Sequence, residues 1–419
     1  VLLRYRFRLY PTGPQRAALS RSFGCARVVF NDAVAARKAA FAAGDPYPTT
    51  AALSKALITE AKRTPERAWL AEVSAVVLQQ ALSDCDRAWR NFFDSLKGRR
   101  AGARMGPPRF KKRMGAQAIR LTRNARFRVL ENGRLRLPKI GDVEVAWSRQ
   151  LPVEPTSVTI LKTATGKYYA SFVVSLNHDE ALPPVETEVG IDLGLKDFAV
   201  LSNGRVIENP KFFRKLERKL KKAQRVLSRK VKGSANRAKA RLAVARVHEK
   251  IRHQRDDWIN KQVAEVVAEN QGVYVEDLSV RGLARGPGAK SIHDAALGLF
   301  TTRLGSKAAR AGRTFAKVDR FFQSTQLCSV CGVLAGPKGM EGLKVREWEC
   351  GCGAVHDRDR NAAANILREG QRLVAAGQAE TVNASGGQVR PGTPGTARNP
   401  RDAGQNEEPT RTRLVPTSR

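Results

Sequence analysis

The stretch VGIDLGLKDFAVLSNGRVIEN, residues 189–209, decides the fold. It reads as two apolar strands joined at Gly194–Lys196, then a hairpin through Asn203-Gly204 into a third. Downstream, GVYVEDL (272–278) reads as another buried strand, and TFAKVD (314–319) as one more. Helical patterns at about 292–312 and about 360–375 stand between and after them. Strands alternating with helices make this half of the chain an α/β unit.

Three acids sit in unusual places within that unit. Asp192 lies inside the apolar strand VGIDLGL, Glu276 ends VYVEDL, and Asp359 opens the helix of HDRDRNAAANI (356–366). A lone acid on a buried strand is costly unless something positive compensates it. Each has an ordinary explanation when taken singly, a helix N-cap for Asp359 and an ion pair for Glu276. Together, on strand, strand and helix of one unit, they form a more specific pattern. Converging carboxylates of this kind suit two Mg²⁺ ions, the arrangement that hydrolyses phosphodiesters. Asp357 is the alternative to Asp359, whose spacing to Asn361-Ala362-Ala363 favours it as the third acid.

The charge balance points to the same chemistry. The chain of 419 residues carries 75 Lys+Arg against 39 Asp+Glu, a net +36. Polyphosphate partners suit such an imbalance, because each neutralised phosphate releases counterions. No apolar run approaches the ~20 residues that span a bilayer, and the opening residues do not read as a secretory signal. A cytoplasmic, nucleoid-associated protein with no membrane partner is therefore expected. Residues 211–255 carry 18 Lys+Arg against Glu217 and Glu249, too one-sided for salt-bridge lacing, so the long helical stretch at about 211–269 is expected to track phosphates.

The N-terminal half has a different texture. Residues 1–10 alternate as a strand, and helical runs follow to about residue 97. Leu19, Phe23, Ala26, Phe30 and Ala33 share one face, and Leu78, Leu82, Cys85, Trp89 and Phe92 another. A basic Gly/Pro-rich loop, KGRRAGARMGPPRFKKR (97–113), closes the block. Residues 117–177 break into short alternating segments with turns at Asn132-Gly133 and Thr165-Gly166, which predicts a small antiparallel barrel that residues 1–10 complete. Phe127, Trp147, Tyr168 and Tyr169 are expected in its core. From about 386 the chain is rich in Gly, Pro, Asn and Arg without periodicity and reads as disordered.

Of the six cysteines, Cys25 and Cys85 stand alone in helical patterns, and Cys85 reads as a core thiol. The other four pair as Cys328-x-x-Cys331 and Cys350-x-Cys352. Two such knuckles suit one tetrahedral structural Zn²⁺. The single residue between Cys350 and Cys352 is short for a knuckle, and His356 is an alternative ligand.

GIDLGLKDFAV, YVEDL, QSTQLCSVCG and HDRDRNAAANI, in that order, resemble the TnpB (OrfB) family of insertion-sequence transposons, which is similar to type V CRISPR effector nucleases. RLYPTGPQ, GPPRFKKR and the C-terminal VNASGGQVRPG extend the resemblance over the chain. It implies an α/β and α+β multidomain protein. A wedge β-barrel would span 1–10 and 116–180, and a helical, helix-turn-helix-like recognition domain 11–115. An RNase H-like (RuvC) nuclease domain would span 181–327 and 357–385, with an inserted zinc ribbon at 328–356 and a tail at 386–419. Carried over residue by residue, Asp192, Glu276 and Asp359 match the catalytic acids, and Cys328, Cys331, Cys350 and Cys352 the ribbon ligands. The one-residue second knuckle departs from the commonest family form. The implied activity is an RNA-guided DNA endonuclease, with a guide RNA from the transposon end and double-stranded target DNA entered beside a short adjacent motif. Tyr47, Gln79 and Gln80 are candidates for reading that motif, since the helical region has that role in the family. Rival readings are a strand-transfer transposase using the same acids, a non-cleaving RNA-guided repressor, and a zinc-ribbon DNA-binding regulator. The last leaves the acid trio unexplained.

Overall fold

The computed structural model describes residues 2–100, 102–176, 181–286, 288–342 and 344–377. The expected tail at 386–419, and the last residues of the expected nuclease segment, lie outside the described residues.

The first sheet has seven antiparallel strands: β1 (Leu2–Tyr10), β2 (Gln117–Thr122), β3 (Arg128–Val129), β4 (Leu135–Leu137), β5 (Gly141–Ala146), β6 (Ser157–Lys162) and β7 (Tyr168–Ser175). Their order is β2-β6-β7-β1-β5-β4-β3, so the N-terminal strand lies mid-sheet between β7 and β5, as its alternation demands. The ladder is open between β2 and β3, where a tight turn at Arg123–Ala125 and the left-handed Arg126 interrupt pairing. The expected closed barrel is thus an open-ended sheet. Phe7, Leu9, Ile160, Tyr168 and Phe172 fill its core, with Trp147 packed at the edge. Tyr169 does not join them. Neighbouring residues of a strand face opposite ways, so Tyr169 lies on the other face, under the guanidinium of Arg6 at 4.0 Å.

Two long helices, Gly13–Ala43 and Ala75–Leu96, bury the stripes read from the sequence around Val29, Leu78, Leu82 and Cys85. Between them, within the expected helical runs, residues 50–63 are irregular, passing from α through a wider to a tighter helical turn. Burial pushes the Cys25 thiol up to about 11 and raises that of Cys85, as expected of core thiols.

The second sheet comprises β8 (Glu188–Leu193), β9 (Asp197–Leu201), β10 (Val206–Glu208), β11 (Gly272–Glu276) and β12 (Thr314–Val318), ordered β10-β9-β8-β11-β12. β8, β11 and β12 run parallel, while β9 is antiparallel to its neighbours. On one face Val189, Ile191, Val273 and Val275 pack against the helices Ala235–Glu269 and Leu297–Arg310. On the other, Tyr274, Ala316 and Val318 meet Ile366 of the helix Arg358–Ala375. The expected continuous basic helix is two helices, Phe212–Ser228 and Ala235–Glu269, broken where Gly233 takes φ +88. Between β12 and the last helix, β13 (Glu347–Glu349) and β14 (Val355–Asp357) form a small hairpin.

The last helix lies unusually close to the sheet. A Cβ at Gly190 would overlap the backbone of Ala363 and Leu367, and one at Gly370 would overlap the ring of Tyr274. Only glycine permits this approach. Gly190→Val is expected to lower the unfolding free energy by at least about 1–3 kcal/mol, the usual cost of overpacking a filled core. Chemical denaturation checks it, and parental stability in that variant would refute the contact.

Candidate active site and metal centre

The close contact at Gly190 fixes where three carboxylates meet. Asp192 follows Gly190 by two residues on β8, so it projects from the same face of the sheet. Glu276 ends the adjacent parallel strand, where Tyr274 pairs with Gly190. Asp359 lies one turn before Ala363 on the helix that touches Gly190, hence on the same helix side. The strand order and the glycine contact thus bring the three acids to one end of one face.

Their electrostatics record this meeting. Burial, then the charges of Glu276 and Asp359, push the Asp192 carboxyl up to about 7, with Arg358 opposing. Burial also raises Glu276, although it accepts a hydrogen bond from the Ser324 hydroxyl. Asp359 is held by Arg346, whose Nη1 lies 2.8 and 3.1 Å from its two oxygens. Asp357 has a different duty: its carboxylate caps the last helix by accepting from the Arg360 N–H at 2.9 Å. Asp277 is ion-paired with Lys317 at 3.2 Å and Arg320 at 2.5 Å. Among the described residues Asp192 and Glu276 form no ion pair, whereas Asp359 is paired with Arg346; carboxylate oxygens of this kind are the ligand type that hard divalent cations take.

The cysteines converge more tightly. The ligand atoms of Cys328, Cys331, Cys350 and Cys352 all lie within 4.8 Å of one another, with Sγ–Sγ separations of 3.8 Å for Cys328–Cys352 and 3.6 Å for Cys331–Cys350. A tetrahedral thiolate site with ~2.3 Å arms has edges of about 3.8 Å, so the four sulfurs can hold a metal such as zinc. Each knuckle turns on a left-handed glycine, Gly332 and Gly353, and the N–H of Gly353 closes the shorter one on the Cys350 carbonyl at 2.8 Å. Burial opposes ionisation of Cys328, yet backbone N–H groups of Cys331 and Val330 and the ring of His356 bring its thiol down to about 5. The N–H of Cys352 favours the Cys350 thiolate, but burial and the neighbouring sulfurs push it up to about 12. Four thiolates at this spacing need a cation. His356 stands with Nε2 3.0 Å from Cys328 Sγ and its ring against Trp348, supporting the sulfur from outside the set of four.

Several residues of these sites were not singled out from the sequence for the part they play. Asn361 and Asn365, one turn apart, are buried and donate to the carbonyls of Ser324 and Leu327, fastening the helix to the loop that enters the first knuckle. An i, i+4 pair of asparagines on an apolar helix face could have flagged them. Arg346 could not have been found, because it reaches Asp359 across the ribbon. The motif-reading candidates are dispersed. Tyr47 is half exposed, stacked on Arg37 and edge-on to Trp89, whereas Gln79 and Gln80 lie on the Trp89 helix about 15 Å away at 1.5 Å per residue.

A family model described as "Probable transposase" (OrfB of IS605) matches residues 171–286, a "Cas12f1-like, TNB domain" model matches 298–366, and a "Helix-turn-helix domain" model matches 1–45. Over that last span the chain forms β1 and one uninterrupted helix to Ala43. A Streptomyces pristinaespiralis protein named "Putative RNA-guided DNA endonuclease" is 42% identical over 377 residues, covering 89% of this chain and 90% of its own. An Escherichia coli K12 protein, "Putative RNA-guided DNA endonuclease InsQ", is 32% identical over 391 residues, covering 89% and 94%. Among solved structures, a chain of the Cas12f1–sgRNA–target DNA complex has a similar fold, with TM-score 0.53 at 14% identity over 84% of this chain and 83% of that one.

Elemental analysis of purified protein is expected to give one zinc per chain, and Cys328→Ser or Cys350→Ser to lose it together with ribbon stability, because such binding is coupled to folding. A fully active, metal-free wild-type protein would contradict this.

Proposed function

The chain belongs to the TnpB (OrfB) family of insertion-sequence transposons, and from that premise we propose that it is an RNA-guided DNA endonuclease whose RuvC-like centre is Asp192, Glu276 and Asp359. The carrying observation is the convergence of these acids at one end of the sheet, within a chain of net charge +36. The cationic surface supplies affinity for any nucleic acid and is blind to sequence. Sequence choice is delegated to base pairing with a guide RNA from the transposon end, and the target duplex is entered beside a short adjacent motif.

Each residue has a distinct part. Asp192, the acid most strongly coupled to the other two, and Glu276, oriented by Ser324, form the fixed side of the site. Asp359 arrives on the last helix and shares its carboxylate between Arg346 and whatever cation is bound. Two Mg²⁺ held by these carboxylates would supply an activated water and stabilise the leaving oxygen of the phosphodiester. Cys328, Cys331, Cys350 and Cys352 would hold a structural Zn²⁺, and four sulfur ligands would leave it no open position for chemistry. A seven-stranded wedge (1–10 and 116–180) and a helical domain (11–115) grip the heteroduplex by its shape and backbone.

The test is plasmid cleavage in Mg²⁺ with matched guide, mismatched guide and no RNA. Cutting is expected with the matched guide alone, at sites bearing one fixed flanking motif. Asp192→Ala, Glu276→Ala and Asp359→Ala should each lower cleavage by roughly 10⁴-fold or more, the scale of losing one member of a catalytic unit, while leaving nucleic-acid binding intact. Equal cleavage in all three lanes would reduce the protein to a nonspecific nuclease, and joined transposon–target products would make it a strand-transfer enzyme.

A further inference from the structure

A cavity of about 630 Å³ opens in the seven-stranded sheet, between Phe127–Val129 and the loop Trp147–Pro155 that links β5 to β6. It lies at the start of β6. The turn after β6 meets the long helix of the nuclease half, where Thr165 and Lys167 hold the buried Glu249 at 2.7 and 2.9 Å; Arg6 of β1 also faces that helix. The six residues of β6 separate the two places by about 20 Å at 3.3 Å per residue. The cavity is lined by none of the three acids and by none of Thr165, Lys167 and Glu249, so it is distinct from the acid cluster and from that contact.

Its construction is that of a nucleotide site. Trp147 is locked from behind: its Nε1 donates to the Gly133 carbonyl at 2.7 Å, and its ring stacks on Phe172 at 5.7 Å with 21° between planes. The partly exposed indole lines the cavity together with Phe127, while Val129 and Val153 stay 40% and 42% exposed at its mouth. Arg128 and Arg149 line it as well, and neither forms an ion pair among the described residues; Arg149 lies over the Tyr5 ring at 5.0 Å. Glu154, the lining acid, is engaged by Arg123 at 3.4 Å. An immobilised aromatic face, aliphatic walls and unpaired guanidinium groups match a flat base with its phosphate. The volume falls within the ~300–1,000 Å³ of small-ligand sites. Ser148 and Gln150, both exposed in the lining, offer hydrogen bonds to a ribose hydroxyl.

We infer that this cavity binds one unpaired nucleotide of RNA, its base against Trp147 and its phosphate on Arg128 and Arg149. The inference rests on the RNA-guided reading, since it takes the occupant to be an extruded nucleotide of the guide. Base capture at this point would fix the register of the guide on the wedge before any target is met.

The experiment uses the full chain and an oligouridylate of about 12 nucleotides, within the site sizes such surfaces cover, substituted with 5-iodouridine. Photocrosslinks should map to the peptide containing Trp147. Val153→Trp, which fills the mouth without touching the core, should weaken oligouridylate binding at least about fivefold, the lower end for losing one base–aromatic stack. Its salt dependence should be unchanged, whereas Arg128→Ala with Arg149→Ala should flatten that dependence. Crosslinks that avoid Trp147, or parental affinity in Val153→Trp with guided cleavage intact, would overturn the cavity assignment and leave the endonuclease reading standing. Pocket crosslinks in a protein that never cleaves with guide would do the reverse. Equal crosslinking by the matching oligodeoxyribonucleotide would overturn the choice of RNA.

Discussion

The contact of the helix Arg358–Ala375 with β8 is the constraint on which the rest of the nuclease half depends. Gly190 and Gly370 remove the side chains that would hold the helix away, and Ala362 and Ala363 are fully buried beneath it. At a normal helix-on-sheet spacing of about 10 Å, Asp359 would stand a side-chain length farther from Asp192. The acids are brought together because backbone meets backbone. The cost is electrostatic: three carboxylates share a partly desolvated site and drive Asp192 up to about 7. Such a cluster persists because the opposite face of the sheet is a dense apolar core around Ile191, Val273 and Phe300, whose burial holds the strands in place regardless of the charges at their ends.

Charge is partitioned sharply in this molecule. The helices Phe212–Ser228 and Ala235–Glu269 carry most of their lysines and arginines on exposed positions, and five of their six acids pair with a residue of another element, Asp257 pairing with Lys261 of its own helix. Glu217 takes Lys221 and Lys290, Glu249 takes Lys167, and Asp294 caps the first of the two helices by accepting from the N–H groups of Phe213 and Arg214. The acids are spent on joints between elements, and the surface is left cationic. The acid cluster is the inverse: among the described residues Asp192 and Glu276 form no ion pair, and Asp359 has Arg346. A cationic surface that attracts a polyanion and carboxylates that could take cations would be complementary requirements for phosphodiester cleavage.

Much of this was legible because its signals are local. Strands β8 to β12 announce themselves as short apolar runs, the two knuckles as cysteine spacings, and the acids as charges on apolar elements. What escaped depends on partners distant in sequence. Tyr168 and Tyr169 look alike, but a strand with one covered face buries only one of two neighbours, and register gave the core to Tyr168. Alternation predicts strands without saying whether a ladder closes, so the gap between β2 and β3 could not be read. The break near Gly233 was hidden by a helical pattern that resumes on its far side. Arg346 and Asn365 carry out their work across 13 and 38 residues of intervening chain.

The ribbon's position in the chain explains why a metal-binding module sits inside a nuclease. It is inserted between β12 and the last helix, so the chain must pass through it before Asp359 can be placed. β14 ends at Asp357, and that same residue caps the helix that begins at Arg358. The Arg358 N–H bonds to the Arg346 carbonyl at 2.7 Å, and Asn361 and Asn365 grip the carbonyls of Ser324 and Leu327 just before the first knuckle. Ser324 in turn donates to Glu276. One continuous set of hydrogen bonds therefore runs from the entry of the ribbon to two of the three acids. Four sulfurs this close cannot all ionise without a cation, and a loosened ribbon would release the cap of the helix and the support of Glu276 together. The placement of Asp359 and the orientation of Glu276 therefore rest on the same hydrogen bonds that fasten the two ends of the ribbon.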